Sequence, residues 1–309
     1  MAAPLDGSVR RIRFAGVKPR HRRSVLEISS EQLALFREDG FVSVDGLLDE
    51  AGIEAARNAF DALFRGEFER GVLPDEVNWQ EGKSDPTLTR QICNGWKANA
   101  AIAGIVLRED IGRAVATLAD WQGARILQDN VIWKPAGARP LGYHQDSAYH
   151  PWLDPQAMVS CWIALDDTTA QGGTMELVRG SHKWKLGAPD GEFHGPSDYQ
   201  TAMRAAATRE DKDPEIVPIV VRAGGGSFHH GRTWHGSGVN ASDRPRRSLV
   251  VHAVPANAKF VRAKIAIGNG PVYGRYMKLW DDNLDENFFP VLWTATGGRT
   301  PHLDEAISA

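Results

Sequence analysis

Apolar and polar positions repeat with two different periods along this chain, and the change from one to the other divides it. Ser29-Ser30-Glu31-Gln32 has the Ser/Gln spacing of a capping box, in which side chains satisfy the backbone donors left over at a helix start. It predicts a short helix to about Glu38. Gly40 ends that helix, and Phe41-Val42-Ser43-Val44 reads as a strand. Ile53, Ala56, Phe60, Leu63 and Phe64 recur at helical spacing and predict an amphipathic helix. Residues 71–95 are polar and contain proline, which predicts an irregular excursion; a second helical stretch covers 98–120. From Ala124 the texture becomes β-rich. Candidate strands are 125–133, 140–146, 158–165, 173–179, 216–222, 226–230, 233–238 and 247–254, separated by Gly and Pro clusters. Short strands punctuated by turn residues predict a sandwich or barrel. The stretch 183–215 is polar and rich in Gly, Pro and Asp. It predicts a long loop with a helical turn or two, and loops of that length are usually functional. The segment 257–309 carries Trp280, Phe288, Phe289 and Trp293, so part of it must dock on the body.

Composition narrows the picture only in places. With 309 residues, 42% of them hydrophobic and 24% charged, the chain can bury a sizeable core. A net charge of −3 gives no general attraction to nucleic acid, and no nucleic-acid partner is expected. No apolar run approaches the roughly 18 residues of a spanning helix, and the N-terminus lacks the apolar stretch of a secretory signal, so no membrane partner is expected. The two cysteines, Cys93 and Cys161, exclude a disulfide framework and fit a reducing cytoplasm. Arg10, Arg11, Arg13, Lys18, Arg20, Arg22 and Arg23 oppose only Asp6, which predicts a solvated, disordered basic tail over 1–28. Nothing in the sequence specifies the oligomeric state.

Chemistry concentrates in the β-rich part. His144 and Asp146 are two apart; on a strand such residues share a face, so both can reach one ion while Gln145 points away. His235 follows on a separate candidate strand. Two imidazoles and one carboxylate form a facial triad for Fe(II), leaving three coordination positions open. His150, His182, His229, His230 and His252 compete as ligands and are expected on the surface or behind the ligands. Ser237 shares the His235 face. Arg246 follows the turn Asn240-Ala241-Ser242-Asp243-Arg244-Pro245 and opens an apolar strand, expected to fold back beside the His235 strand. Arg246 and Arg247 must point opposite ways, and an inward Arg needs an anionic partner. A guanidinium fork suits a carboxylate, such as the distal carboxylate of 2-oxoglutarate. Tyr149, Trp152 and Trp96 are the aromatic candidates for the substrate side.

These blocks resemble the phytanoyl-CoA dioxygenase family in its broad bacterial sense. The resemblance covers roughly 30–255. It rests on Asp39-Gly40-Phe41-Val42, Lys134-Pro135, His144-Gln145-Asp146-Ser147-Ala148-Tyr149, Trp162-Ile163-Ala164-Leu165-Asp166-Asp167, Gly172-Gly173-Thr174, Gly180-Ser181-His182 and His235-Gly236-Ser237-Gly238 leading to Arg246. It implies a mainly β fold with flanking helices, a double-stranded β-helix of the jelly-roll, cupin-like kind. The expected organisation is one catalytic domain over 29–309, with a helical part 29–122, a jelly-roll core 123–256 and a docking segment 257–309. Fe(II) is implied at His144, Asp146 and His235, and 2-oxoglutarate at Arg246 and Ser237. Thr174 and Gln128 are further co-substrate contacts, O₂ is the second co-substrate, and a small molecule is the substrate. Halogenating relatives replace the carboxylate ligand; Asp146 is intact, which favours oxygen chemistry. Hydroxylation with release of succinate and CO₂ is the expected outcome. Desaturation, epimerisation and cyclisation use the same cofactors and stay open, as does a cupin-type metal enzyme or binding protein that does not use 2-oxoglutarate.

Overall fold

The computed structural model describes residues 26–189, 193–301 and 303. The basic tail expected over 1–28 lies outside the described residues as far as residue 25; beyond it, Leu26 and Ile28 already pack against the core, ahead of the capping box.

The N-terminal part runs α1 (Ser30–Asp39), β1 (Phe41–Val44), α2 (Glu50–Phe64), β2 (Glu76–Val77), β3 (Arg90–Cys93), α3 (Ala100–Val106) and α4 (Glu109–Ala119). The capping box at Ser29 is formed in both directions, and Gly40 closes α1 in the left-handed conformation that costs glycine least. The excursion 71–95 is less irregular than its polarity predicts, because β3 pairs with the long strand Gly123–Lys134 and β2 with β3. The helical stretch 98–120 is two helices broken at Leu107 and Arg108.

The β core follows as β4 (Gly123–Lys134), β5 (Leu141–His144), β6 (Leu153–Asp154), β7 (Val159–Ala164), β8 (Glu176–Val178), α5 (Thr201–Arg209), β9 (Ile216–Pro218), β10 (Gly226–His230), β11 (His235–Ser237) and β12 (Arg246–Pro255). Then come β13 (Lys259–Phe260), α6 (Gly270–Tyr273) and β14 (Val291–Thr294). Two antiparallel sheets carry the fold. The larger runs β1-β10-β7-β12-β4-β3-β2, with β14 also on β4; the smaller runs β5-β11-β8-β9. The helical turn or two expected in 183–215 is α5.

The larger sheet is covered on both faces, and its side chains sort by alternation. Val131, Val159, Cys161, Ile163, Phe228, Leu249 and Val251 pack with Ile102, Val106, Ile111 and Val115 of the helices. Their neighbours Ile132, Trp162, Ala164 and Val250 pack with Met175 and Leu177 of the smaller sheet's side. The inward set also carries polar residues: Gln128, Asn130 and Lys134 on β4, Ser160 on β7, His229 on β10, Arg246, Ser248 and His252 on β12, all buried. The space between the sheets is therefore apolar at one part and polar at another, and the polar part faces β5 and β11. The aromatic C-terminal segment docks as expected, with Phe289, Tyr273 and Phe260 in one cluster with Trp152 and Leu153.

Candidate active site

His144 ends β5 and His235 opens β11, and the two are register partners in the smaller sheet. Asp146 lies just past the strand, at the start of a single 3-10 turn; Gln145 between them is still extended. The same-face geometry therefore survives although the strand stops short of Asp146. Gln145 points away, accepting from the Gly187 amide at 2.7 Å and donating to the Arg232 carbonyl at 2.6 Å. Asp146 Oδ1 lies 3.4 Å from His144 Nε2 and 3.4 Å from His235 Nε2. The three ligand atoms fall within 4.8 Å of one another. Bonds of about 2.1 Å at right angles put facial ligands roughly 3 Å apart, so a small contraction around an ion completes the triad. Each imidazole is oriented from behind: His144 Nδ1 meets the Gly142 carbonyl at 3.0 Å and His235 Nδ1 the Thr233 carbonyl at 2.9 Å. Such bonds leave Nε2 as the free lone pair for a metal.

The second oxygen of Asp146 is occupied. Ser160 donates to Oδ2 at 2.7 Å and His229 Nε2 sits 3.2 Å away. His252 stands behind Ser160, with Nδ1 2.8 Å from its hydroxyl. His229 and His252, rivals for metal in the sequence, are thus supports of the carboxylate. Burial works against the charge on Asp146, yet His235, His252, His144 and His229 together hold its carboxyl well below the usual carboxylate range. Burial lowers the pKa of His144; at His235 burial is opposed by the Asp146 charge and hydrogen bond and by the Thr233 carbonyl, which together raise it. His150 is buried with Nδ1 on the Asp146 carbonyl, whereas the rings of His182 and His230 contact each other and neither belongs to the ligand cluster.

Arg246 opens β12, which pairs with β4 and β7 of the larger sheet. Its strand therefore faces the His235 strand across the sandwich instead of lying beside it: the turn 240–245 crosses from one sheet to the other. Alternation sorts the two arginines. Arg247 points out to a two-pronged contact with Asp166, at 3.0 and 2.8 Å. Arg246 points in and is 4% exposed. It donates to Ser248 Oγ at 2.9 Å and to the Gly173 carbonyl at 3.0 Å; its Nε is buried with no partner among the described residues. Burial, opposed by distant Asp166, brings its pKa down to about 10.

Two cavities meet at the triad. The inner one is bounded by Ser237, Arg246, Trp162 and Met175 as well as the ligands. The outer one, about 230 Å³, is bounded by Gln91, Gln128, Asn130, Tyr149, Asn269 and Glu76 among others. Ser237 and Arg246 therefore share the inner side. Thr174 does not reach it: its hydroxyl donates to the Ile219 carbonyl at 2.6 Å, and its neighbour Gly173 is the residue that touches Arg246. Gln128 lies on the outer cavity, not beside Arg246. Tyr149 lines the outer cavity with its ring against His144. Trp152 does not; it is fully buried, stacked on Tyr273 and Phe260. Trp96 is also core, with its backbone amide 3.0 Å from Asp129 Oδ1. Aromatic character alone could not separate wall from core here. Carboxamides supply much of the wall, and Gln91, Asn130 and Asn269 carried no motif that would have singled them out.

A family model described as phytanoyl-CoA dioxygenase (PhyH) matches residues 36–248. Bovine peroxisomal phytanoyl-CoA dioxygenase is 25% identical over 259 residues, 76% of this chain and 71% of that one. A probable alpha-ketoglutarate-dependent hypophosphite dioxygenase of Stutzerimonas stutzeri is 31% identical over 194 residues, 61% of this chain and 66% of that one. Among solved structures, the epimerase SnoN in complex with Fe3+, alpha ketoglutarate and nogalamycin RO superposes with a TM-score of 0.65 at 23% identity, covering 85% of this chain and 98% of that one. EctD from S. alaskensis with 2-oxoglutarate and 5-hydroxyectoine gives 0.58 at 19% identity, over 80% and 86% of the two chains. The two structures share the fold. With the family match spanning most of the chain and a His-Asp-His cluster in place, the protein belongs to the phytanoyl-CoA dioxygenase (PhyH) family and is an Fe(II)- and 2-oxoglutarate-dependent dioxygenase.

Proposed function

We propose that this enzyme hydroxylates a small polar metabolite, with His144 Nε2, Asp146 Oδ1 and His235 Nε2 as the iron ligands and Arg246 as the anchor of 2-oxoglutarate. The observation that carries the reading is the position of the triad at the junction of two cavities, the inner one bounded by a buried arginine that pairs with no carboxylate among the described residues. Bound iron and 2-oxoglutarate supply the oxidising power, with succinate and CO₂ as the co-products. The chain's own residues supply position. Ser160 and His229 hold Asp146 Oδ2 away, so that one oxygen faces the metal and the remaining coordination positions stay open. Arg246, dry and preorganised, offers a fork to a carboxylate at little reorganisation cost.

The outer cavity bears on the substrate. Its described lining holds five carboxamides, from Asn78, Gln91, Gln128, Asn130 and Asn269, with two carboxylates, Glu76 and Asp146 of the triad, and no lysine or arginine. A wall of that kind reads hydroxyl, carbonyl and amide groups and offers no lysine or arginine to a string of phosphates. We therefore assign a substrate other than an acyl-CoA thioester. The buried free thiols of Cys93 and Cys161 fit work in a reducing cytoplasm, and no helix among the described residues is long and apolar enough to cross a membrane.

The deciding experiment supplies Fe(II), 2-oxoglutarate and ¹⁸O₂ with a metabolite panel and follows succinate. The expected product gains one labelled oxygen. A product of unchanged mass, or one that has lost two hydrogens without oxygen, would replace hydroxylation by epimerisation or desaturation; turnover of an acyl-CoA would overturn the substrate assignment.

A further inference from the structure

Lys134 ends β4 on the inner face of the larger sheet. It is 0% exposed, the position where a lysine is least at home. Its register partner across the ladder is Arg246, so two cations stand directly opposite each other inside the sandwich. When both are charged such groups repel, and among the described residues neither has an acid at ion-pair distance. No ion pair within 4 Å reaches either group among the described residues. Glu176, the acid that acts on Lys134 from a distance, is engaged by the Tyr143 hydroxyl at 2.8 Å and the Tyr199 hydroxyl at 3.3 Å. Asp166, which acts on Arg246, is bound from outside by Arg247 and Arg57. Burial, and then the charge of Arg246, push the Lys134 pKa well down. The Lys134 Nζ has one strong contact, a 2.7 Å hydrogen bond to Ser237 Oγ, with the Ser237 carbonyl at 3.3 Å. Ser237 in turn borders the inner cavity together with Arg246. Lys134 thus stands directly behind the pocket's hydroxyl, tying β4 of one sheet to β11 of the other.

We propose that Lys134 is a positioning residue for the co-substrate, acting through Ser237. It orients the Ser237 hydroxyl into the inner cavity and adds a second positive charge, so that the pocket selects a 2-oxo acid bearing a second, distal carboxylate over one that lacks it. This rests on Arg246 being the anchor of 2-oxoglutarate. The physical basis is electrostatic: a carboxylate entering beside Arg246 and Ser237 stabilises the protonated form of Lys134 that burial and Arg246 disfavour, a gain that a monocarboxylate occupying only the metal end cannot provide.

The experiment titrates the Mn(II)-loaded full-length protein calorimetrically with 2-oxoglutarate and separately with 2-oxobutyrate, which keeps the keto-acid end and lacks the distal carboxylate. Lys134→Met removes charge and donor; Lys134→Gln keeps a donor for Ser237 and removes only charge. Hydrogen bonds and charge contacts of this kind set the expected loss for Lys134→Met at about ten- to a hundredfold in 2-oxoglutarate affinity. 2-Oxobutyrate affinity should change by less than about threefold, within the reach of small packing shifts, and Lys134→Gln should fall between Lys134→Met and the parent. A role confined to tying the sheets would lower the melting temperature and weaken both acids alike, and that outcome overturns the proposal. So does a Lys134→Met protein that keeps its preference for 2-oxoglutarate. If Lys134→Met does not fold, the comparison of Lys134→Gln with the parent decides alone. An Arg246→Ala arm separates the two claims: if it leaves 2-oxoglutarate binding intact, the anchor assignment itself fails. If it abolishes binding while the Lys134 variants keep parental selectivity, only the role of Lys134 fails.

Discussion

Replacing Arg246 by alanine, with Arg247→Ala as its partner, is the sharpest perturbation the structure offers. The two residues are adjacent in sequence and equal in charge, and the pleat sends them to opposite sides of β12. Arg246 is 4% exposed and, among the described residues, has only a serine hydroxyl and a backbone carbonyl as acceptors. A carboxylate arriving there would meet a desolvated guanidinium, and losing such a charge-assisted pair costs about 2–4 kcal/mol, roughly 30- to 1000-fold in affinity. Arg247 instead pairs with Asp166, their side chains 18% and 15% exposed, and its backbone amide donates to the same carboxylate at 2.8 Å. Its loss should leave 2-oxoglutarate affinity alone and lower folding stability by about 1–3 kcal/mol, since half of a partly buried pair remains. Titration of the Mn(II) protein with 2-oxoglutarate reads the first effect, and urea unfolding the second. Equal loss of co-substrate affinity in both variants would refute the reasoning from alternation and burial together.

His144→Ala, Asp146→Ala and His235→Ala should each abolish turnover and stoichiometric metal binding while the far-ultraviolet circular dichroism is unchanged; full activity in any one of them identifies a wrong ligand. Ser160→Ala should weaken metal binding about tenfold or more by freeing Asp146 Oδ2, measured by competition with a chelator, and unchanged affinity would remove Ser160 from the site's support. Trp152→Ala should cost about 3–5 kcal/mol of stability as a core deletion, read by denaturant melts; a variant of parental stability with an altered substrate KM would return Trp152 to the substrate wall.

Short-range pattern was enough to read the local elements and the kind of chemistry. The capping box at Ser29, the helical spacing from Ile53 to Phe64 and the strand at Phe41–Val44 are short-range patterns, set by hydrogen bonding and side-chain direction within a few residues. The His144, Asp146 and His235 cluster was legible because metal ligands are chemically distinctive, and the opposed directions of Arg246 and Arg247 because a pleat alternates whatever it packs against. Only the tertiary structure decided which sheet each strand joins. The turn 240–245 has the same residues whether the chain folds back on its neighbour or crosses the sandwich, and the choice is made by long-range pairing of β12 with β4 and β7. It likewise decided that Thr174 spends its hydroxyl on the Ile219 carbonyl, that Gln128 faces the outer cavity, and that Trp96 and Trp152 are core. An indole in a sequence is equally suited to filling a core and to lining a cavity. Lys134 shows the same limit most clearly. Its burial opposite Arg246 follows from the register of two strands more than a hundred residues apart, and only their pairing turns an ordinary lysine into a buried base beside a second buried base.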